Sequence, residues 1–441
     1  MSPQAGSEPQ LRLRPVAEIR DPVHGYVRVT EVERELIDSP FLQRLRRVHQ
    51  LAGSYLVYPG AVHTRFEHVV GTMHLAGDMA KSLAAGSGAD RDQIQEIRLA
   101  ALLHDVGHGP FSHMYEEVLA ETSETTHEDI SQRIILETSV RDILERHGFS
   151  PKQMASLAVG RQSKRPGFVN EIIAGGLSAD IMDYLLRDSY FTGVEYGRVD
   201  IHRVMDSLHV VGGRLVLDEA AIDAFEAMLL ARYQMFKAVY FHRTVRAAEL
   251  MLVQSMKLAD RALGLTDISD IERYLGLTDE VVLHKLSTLP KSSSELKEAR
   301  RLAVDFLNRR LVKCVYEKTV QRRDRVVEQL FLKSHMRDQV VADLAEKAKV
   351  DRMRVYLDVP TTPSVPYTYT REALTHIRVL RRHEKRVAAE ALPIGELPLA
   401  GSIAGFMDVI RVYTSPEHRG AVEKATRRIF GDEGYMTKIS V

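Results

Sequence analysis

The sequence predicts a mainly α fold: a helical body, a small N-terminal hairpin before it and a small α+β unit after it. Three observations carry this expectation. From Val32 to about Leu265 apolar residues recur at helical spacing, in stretches rich in Ala, Leu and Met such as Ile94–Asp105 and Ala220–Gln254. Turn-forming clusters with alternating neighbours are few and short. Beyond residue 350 the helical period gives way to alternating runs and a Pro-rich loop.

Taken in order, residues 1–10 are polar, hold Pro, Gly and Ser, and are expected to be a disordered tail. Between Arg12 and Thr30, alternation around Asp21-Pro22-Val23-His24-Gly25 predicts a hairpin. The helical body follows, interrupted at Val210–Val216, where Gly212-Gly213 marks a tight turn between two strands. Residues 266–350 read as further charged helices. Met353–Val359 alternates as a strand, Pro360–Pro366 forms a loop, Arg371–Leu392 reads as a basic helix, and Met407–Tyr413 is a last strand. The expected units are 11–265, 266–350 and 351–441, in keeping with a length of 441 residues, more than one core usually supports.

Composition narrows the function classes. Hydrophobic residues make up 44% and charged residues 27%, the balance of a soluble globular protein. Lys and Arg (60) offset Asp and Glu (60), so wholesale electrostatic binding to nucleic acid or membrane is not implied. Cys314 is the only cysteine, which excludes an intramolecular disulfide and a multi-thiolate metal site. No apolar run reaches membrane-spanning length, and the opening residues lack the apolar stretch of a signal peptide; a cytoplasmic location is expected.

Three stretches carry chemistry. In Leu102–His113, three histidines and an aspartate follow an apolar helix that Gly107, Gly109 and Pro110 stop. His104 and Asp105 diverge by about 100° along a helix shaft, but at its end both reach one ion. A histidine-rich solvated loop is the plainer reading; four candidate ligands after one apolar helix outweigh it. Imidazole with carboxylate suits Mn, Fe, Ni, Zn or Mg rather than a soft metal.

The second stretch, Gly60–His68, leads into another helix. His68 is a further candidate ligand, and Arg65, one turn earlier, a candidate phosphate clamp. His74 sits about 240° round from His68 and reads as an ordinary helix histidine. His63 fits a supporting role and a loop position equally.

In the third, Asp180, Asp183, Tyr184, Arg187 and Asp188 share one helix face, while Ile181, Met182, Leu185 and Leu186 fill the rest. This inverts the usual pattern: a helix apolar on its broad side is buried, so its polar stripe needs a polar cavity. Alone, the segment is equally a solvated stripe with an Asp–Arg pair; the other two stretches supply the need for a distant carboxylate. Farther on, Arg232, Phe236 and Tyr240 share a face that either lines a nucleotide pocket or packs in the core.

In this order the blocks resemble the HD superfamily, and within it the deoxynucleoside triphosphate triphosphohydrolases. The resemblance spans about Ile19 to Leu265. It rests on Asp-Pro-Val-His-Gly at 21–25, Gln-Arg-Leu-Arg at 43–46, Arg-Phe-Glu-His at 65–68, His-Asp-Val-Gly-His-Gly-Pro-Phe-Ser-His at 104–113 and Asp-Tyr-Leu-Leu-Arg-Asp at 183–188. It implies an HD-domain helical bundle in which His68, His104, Asp105 and Asp180 hold one divalent metal ion. His113 would protonate the departing 5′ oxygen, supported by Glu116 and His127. His108, Arg65 and Arg232 would contact phosphates, and Gln50, Leu51, Tyr184, Asp188 and Tyr240 the sugar. The implied reaction releases deoxynucleoside and intact triphosphate, and the implied assembly is a homo-oligomer.

Asp38, Gln43 and Arg46 match residues that bind an activating guanine nucleotide in the mammalian member. The chain departs from the family pattern at Ile181, where some members place a phosphate-gripping basic residue, at Phe241, where a glutamine can meet the base, and at Arg20, which replaces an asparagine of the activator site. Two other readings stand beside this one. One is an HD phosphohydrolase or phosphodiesterase acting on other nucleotides or single-stranded nucleic acid, suggested by Ile181, Phe241 and the basic stretches Arg309-Arg310, Arg322-Arg323 and Arg378–Arg386. The other is a nucleotide-sensing protein with a vestigial metal site.

Overall fold

Alternation on either side of Asp21 does produce a hairpin: strands β1 (Ala17–Asp21) and β2 (Gly25–Val29) pair antiparallel, with Asp21 opposite Gly25. The Asp21 carboxylate closes the turn by accepting from the amides of Val23 and His24, at 2.9 and 2.8 Å. The computed structural model describes residues 13–123, 125–162, 167–321, 334–359, 376–383, 386–393, 396–397, 399 and 406–431. The tail expected at 1–10 and the Pro-rich loop at 360–366 lie outside them.

Helices α1 (Glu31–Ile37) and α2 (Pro40–Arg44) follow, the second capped by Ser39 with Pro40 in its first turn. Next come α3 (Arg65–Ser87), α4 (Arg91–Leu103), α5 (His113–Leu119), α6 (His127–Glu137), α7 (Ser139–Arg146), α8 (Pro151–Ala158), α9 (Gly167–Ile173) and α10 (Ala179–Thr192). A Thr64/Glu67 capping box starts α3, and Asp90 and Ser178 cap α4 and α10. The site-bearing helices therefore begin at fixed residues. Helix α3 packs against both α4 and α10.

After α11 (Ile201–Asp206), strands β3 (Leu208–Val211) and β4 (Arg214–Asp218) form the hairpin expected around Gly212-Gly213. The long helix expected at Ala220–Gln254 is instead two, α12 (Ile222–Met235) and α13 (Arg243–Leu263), separated by a π-helical turn at Phe236–Tyr240. Apolar periodicity runs through both and hides the break; the π turn inserts a residue into the ladder and re-aims Tyr240.

Helices α14 (Ile271–Tyr274), α15 (Asp279–Ser287), α16 (Ser294–Leu307) and α17 (Ser334–Ala348) bear out the charged helices expected between 266 and 350. The same interval also holds a strand, β5 (Lys313–Gln321), which corrects the all-helical reading. Strand β6 (Val355–Asp358) falls where expected. The basic helix expected at Arg371–Leu392 is a second correction: its described part is the antiparallel pair β7 (His376–His383) and β8 (Arg386–Pro393). Pairing with β4 decides this, because β7 adds parallel to it, Leu217 opposite Val379, and a tertiary partner overrides helix propensity. Last come β9 (Phe406–Thr414), central in a β5-β9-β6 sheet, and α18 (Arg419–Phe430).

One core runs through the helical body and takes in Tyr356, Ile377, Val379 and Tyr413 from the C-terminal strands. A smaller core joins Val315, Tyr316, Leu344, Val355, Val412 and Val422 beneath α17 and α18. Among the described residues no helix is long and apolar enough to cross a membrane.

Candidate metal centre and substrate site

Helices α3, α4 and α10 bring the three chemical stretches together. His68 stands on the first turn of α3, His104 caps the C-terminus of α4, and Asp180 lies in the first turn of α10. One ligand atom from each lies within 4.8 Å of the others. His68 Nε2 is 3.1 Å from Asp180 Oδ1 and 3.6 Å from Asp105 Oδ2. His104 Nε2 is 3.3 Å from Asp105 Oδ1 and 3.8 Å from Asp180 Oδ1.

The donor set fits a divalent cation. His104 Nδ1 donates to the Ala101 carbonyl at 2.7 Å, which fixes the tautomer and turns an Nε2 lone pair inward; that Nε2 is buried and has no hydrogen-bond partner among the described residues. His68 Nδ1 donates to Asp183 Oδ2 at 2.8 Å, the carboxylate–histidine arrangement that orients metal-binding imidazoles. Burial opposes a charged ring at His68, yet hydrogen bonds to Asp180 and Asp183 hold its pKa up to about 10. Burial likewise opposes ionised Asp180, but the neighbouring His104 and His68 rings keep it well below the usual carboxylate range. Asp105 is also depressed, against burial, by His104, Arg65 and His108. Two carboxylates and two imidazole nitrogens converging on one point form a donor set that suits a divalent cation.

Residues 65–188 match the family described as HD domain, and residues 199–436 match the HD associated region. The chain belongs to the HD-domain family. An uncharacterized protein of Bacillus subtilis, YwfO, is 38% identical over 251 residues, 56% of this chain and 56% of that protein. The deoxynucleoside triphosphate triphosphohydrolase SAMHD1 homolog of Dictyostelium discoideum is 30% identical over 317 residues, 68% of this chain and 60% of that one. The crystal structure of a hypothetical protein from Aquifex aeolicus aligns with a TM-score of 0.73 at 30% identity, covering 93% of this chain and 99% of that one. The chain thus spans 56% and 60% of the length of these two curated relatives.

Behind the HD cluster lies a buried charge network that reading the sequence did not assign. Asp183, which accepts from His68, also accepts from His24 Nε2 at 2.6 Å and from Arg187 Nε and Nη2 at 2.8 and 2.9 Å. Arg187 Nη1 donates in turn to Asp21 Oδ2 at 2.9 Å. The polar stripe of α10 is therefore satisfied by the hairpin and by α3, not by solvent. Gly71 makes room for it: a Cβ there would lie 1.9 Å from Asp183 Oδ1. The i,i+4 pair of Asp183 and Arg187 on an apolar helix was the available signal. His74, as expected, lies outside this set, 3.4 Å from Asp78.

On one side of the metal cluster, His113 Nδ1 donates to Glu116 Oε2 at 2.8 Å, and His127 Nδ1 bonds the other oxygen of Glu116. Burial opposes the Glu116 anion, but these two imidazoles hold it far below the usual range. Burial also opposes a charged His127, and Glu116 lifts its pKa. His108 stacks on His127 with centroids 3.9 Å apart; burial, then Arg65 and His127, keep it neutral. Arg65 is buried and engaged, pairing with Asp105 through Nη1 and donating to Ser112 Oγ through Nε at 2.8 Å.

On the other side, Asp188 accepts from His63 Nε2 at 2.8 Å and from the Tyr240 hydroxyl at 2.6 Å. His63 is thus a supporting residue, stacked on Phe191. Arg232 donates to the Tyr184 hydroxyl. Burial, then Asp188, push the Tyr240 hydroxyl well above its ordinary range, so it remains a donor. Gln50 Oε1 is buried without a hydrogen-bond partner among the described residues, and Leu51 is half-buried against the core. Ile181 and Phe241 are buried, at 7% and 5% exposure, and as apolar side chains offer no hydrogen bond to a ligand. Of the residues expected to bind an activator, Gln43 and Arg46 are joined at 3.0 Å, while Asp38 faces Arg34 at 4.0 Å.

Proposed function

We propose that this chain is a metal-dependent phosphohydrolase that cleaves deoxynucleoside triphosphates to deoxynucleoside and triphosphate. The observation that carries the reading is the convergence of His68, His104, Asp105 and Asp180, with a His113–Glu116–His127 relay on one side and a hydrogen-bonded Asp188 on the other. When bound there, a divalent ion supplies Lewis acidity, lowering the pKa of a water and offsetting phosphate charge.

The protein groups supply the rest. Glu116 holds the His113 Nδ1 proton and so presents Nε2 to a leaving group. A departing 5′ alkoxide is a poor leaving group, and a positioned acid contributes about 100- to 10,000-fold. Tyr184 and Asp188 follow Asp180 on α10 by one and two turns, about 6 and 12 Å along its axis, a spacing on the scale of a sugar beside a phosphate. His63 and Tyr240 fix the Asp188 carboxylate as an acceptor for a sugar hydroxyl. Identity of 28–30% to named triphosphohydrolases is consistent with this substrate class.

The test is incubation of the full chain with each deoxynucleoside triphosphate and Mn or Mg, read by product mass. Nucleoside with intact triphosphate is expected. The departures from the family pattern at Ile181 and Phe241 put the second reading in the same panel: release of monophosphate, or shortening of single-stranded oligonucleotides, would replace the proposal.

A further inference from the structure

The turn that delivers His113 is strained. Phe111 and Ser112 carry φ of 60° and 55° without being glycines, and α5 starts at the next residue. Such conformations are strained for residues with a Cβ and persist only where the surroundings hold them. Here the holder comes from far along the chain. Asp279, the first residue of α15 and 4% exposed, accepts from the Phe111 amide through Oδ1 at 2.7 Å. Its Oδ2 accepts from the His49 amide at 3.0 Å and from His49 Nδ1 at 2.8 Å.

One carboxylate thus ties together two walls of the site. His49 precedes Gln50 and bridges Thr64, the cap of the helix carrying His68. Ser112 closes the ring by donating to the His49 carbonyl at 2.7 Å while accepting from Arg65. The neighbours of Asp279 serve the same loop. The Tyr274 hydroxyl donates to the Gly107 carbonyl at 2.8 Å, and buried Arg44 links the carbonyls of His108 and Leu277. Asp279, Tyr274 and Leu277 lie outside residues 65–188, in the stretch matching the HD associated region, while Arg44 and His49 precede both matched stretches.

We propose that Asp279 is a positioning residue: by holding the strained Phe111–Ser112 turn it sets where His113 stands relative to the scissile bond. The inference rests on reading His113 as the leaving-group acid. A charge-assisted bond to the Phe111 amide offsets the strain. Without it the turn relaxes and the start of α5 rotates, and a shift of about 1 Å in a catalytic group costs about 100-fold.

The test compares two leaving groups in Asp279→Ala: a deoxynucleoside triphosphate, whose alkoxide needs a proton, and bis(p-nitrophenyl) phosphate, whose phenolate does not. The ratio of the two turnover rates should fall about 100-fold, with aryl-ester turnover and bound metal staying within about threefold of the parent. In a His113→Ala background the same change should add no further loss. Equal loss on both substrates, loss of metal, or an additive loss in that background overturns the proposal. Asp279→Asn, closest in volume, takes the place of the alanine variant if that one does not fold. If the parent hydrolyses the aryl ester but no deoxynucleoside triphosphate, the substrate reading alone has failed. Asp279 is then judged by hydrogen exchange at the Phe111 amide, faster by about tenfold or more if the carboxylate holds the turn and unchanged if it does not.

Discussion

The charges gathered behind His68 and those at the seam between α13 and the C-terminal strands are buried to a similar degree, but they leave different atoms unpaired. Behind His68, Asp183, Arg187 and Asp21 are at most 4% exposed, and their bonds end by fixing one face of an imidazole ring. At the seam, Arg246 donates to Asp358 through Nε and Nη2 at 3.3 and 2.8 Å and to Glu249 at 2.8 Å, while Arg411 bonds Glu317 at 2.6 Å. Among the described residues, Arg411 Nη1, a donor, lacks a hydrogen-bond partner there, though it faces Asp358 at 4.0 Å; in the HD cluster the buried atoms without one are ring nitrogens, His104 Nε2 and His108 Nδ1. Buried charge by itself therefore marks either architecture or chemistry, and the sign of the leftover valence separates them.

The largest effect expected from this contrast is at the lone pair itself. His104→Ala should lower bound metal to below about a tenth of an equivalent and turnover by about 1,000-fold or more, since an ion's stabilisation of the transition state amounts to several kcal/mol. Elemental analysis beside a rate measurement checks it, and a variant retaining a full equivalent of metal would remove the distinction just drawn.

Next comes a matched pair of asparagines. Asp183→Asn should weaken metal affinity about 10- to 100-fold by loosening His68. Asp358→Asn should leave that affinity alone while destabilising the fold by about 3 kcal/mol, because Arg246 is left buried beside a neutral partner. Competition titration with a chelator and denaturant unfolding, run on both, tell the two networks apart; the same outcome for both would merge them.

The smallest expected effect concerns pH. Burial, reinforced by Glu117 and Asp358 and only partly opposed by Arg246, raises the Glu249 carboxyl from 4.5 to about 7. Between those values the folded chain holds a proton that the unfolded chain has released. Stability from this group is thus whole below its unfolded pKa and lost as pH rises through about 7, by up to about 3 kcal/mol. Glu249→Gln should flatten the decline in melting temperature between about pH 5 and pH 8. An unchanged slope would show that the seam is indifferent to this proton.

Much of the candidate site could be read from the chain because its ligands sit in short, self-signalling segments: a histidine-aspartate pair where an apolar helix ends, and a helix whose usual stripe is inverted. What escaped depends on distance. Asp183 looked like half of a helix-face ion pair, and only the docking of the hairpin and of Gly71 makes it the orienter of His68. Asp279 resembles any acidic residue at a helix start; its partners His49 and Phe111 are far away in sequence. The fold shows the same division. Helices and tight hairpins, built from local contacts, appear where periodicity places them. Strands β5 and β7 take their identity from remote neighbours, β9 and β4, and β8 then adds to β7; an Ala-rich segment such as Arg386–Pro393 gives no local hint that it is a strand. The π turn before Tyr240 escapes for another reason, since it preserves the apolar stripe while shifting its phase.

The parallel pairing of β4 with β7 bears on how the molecule is made. As the chain leaves the ribosome, Leu217 emerges long before Val379, the residue it must meet. Until then the nascent protein carries an open backbone edge beside the apolar side chains of Leu215 and Leu217, both buried in the finished structure. A fragment cut after the helical body would keep that edge for good, inviting strand-to-strand association between copies. Expression of the metal-binding half alone is therefore expected to yield a sticky product, its cure lying in residues that contribute no ligand at all.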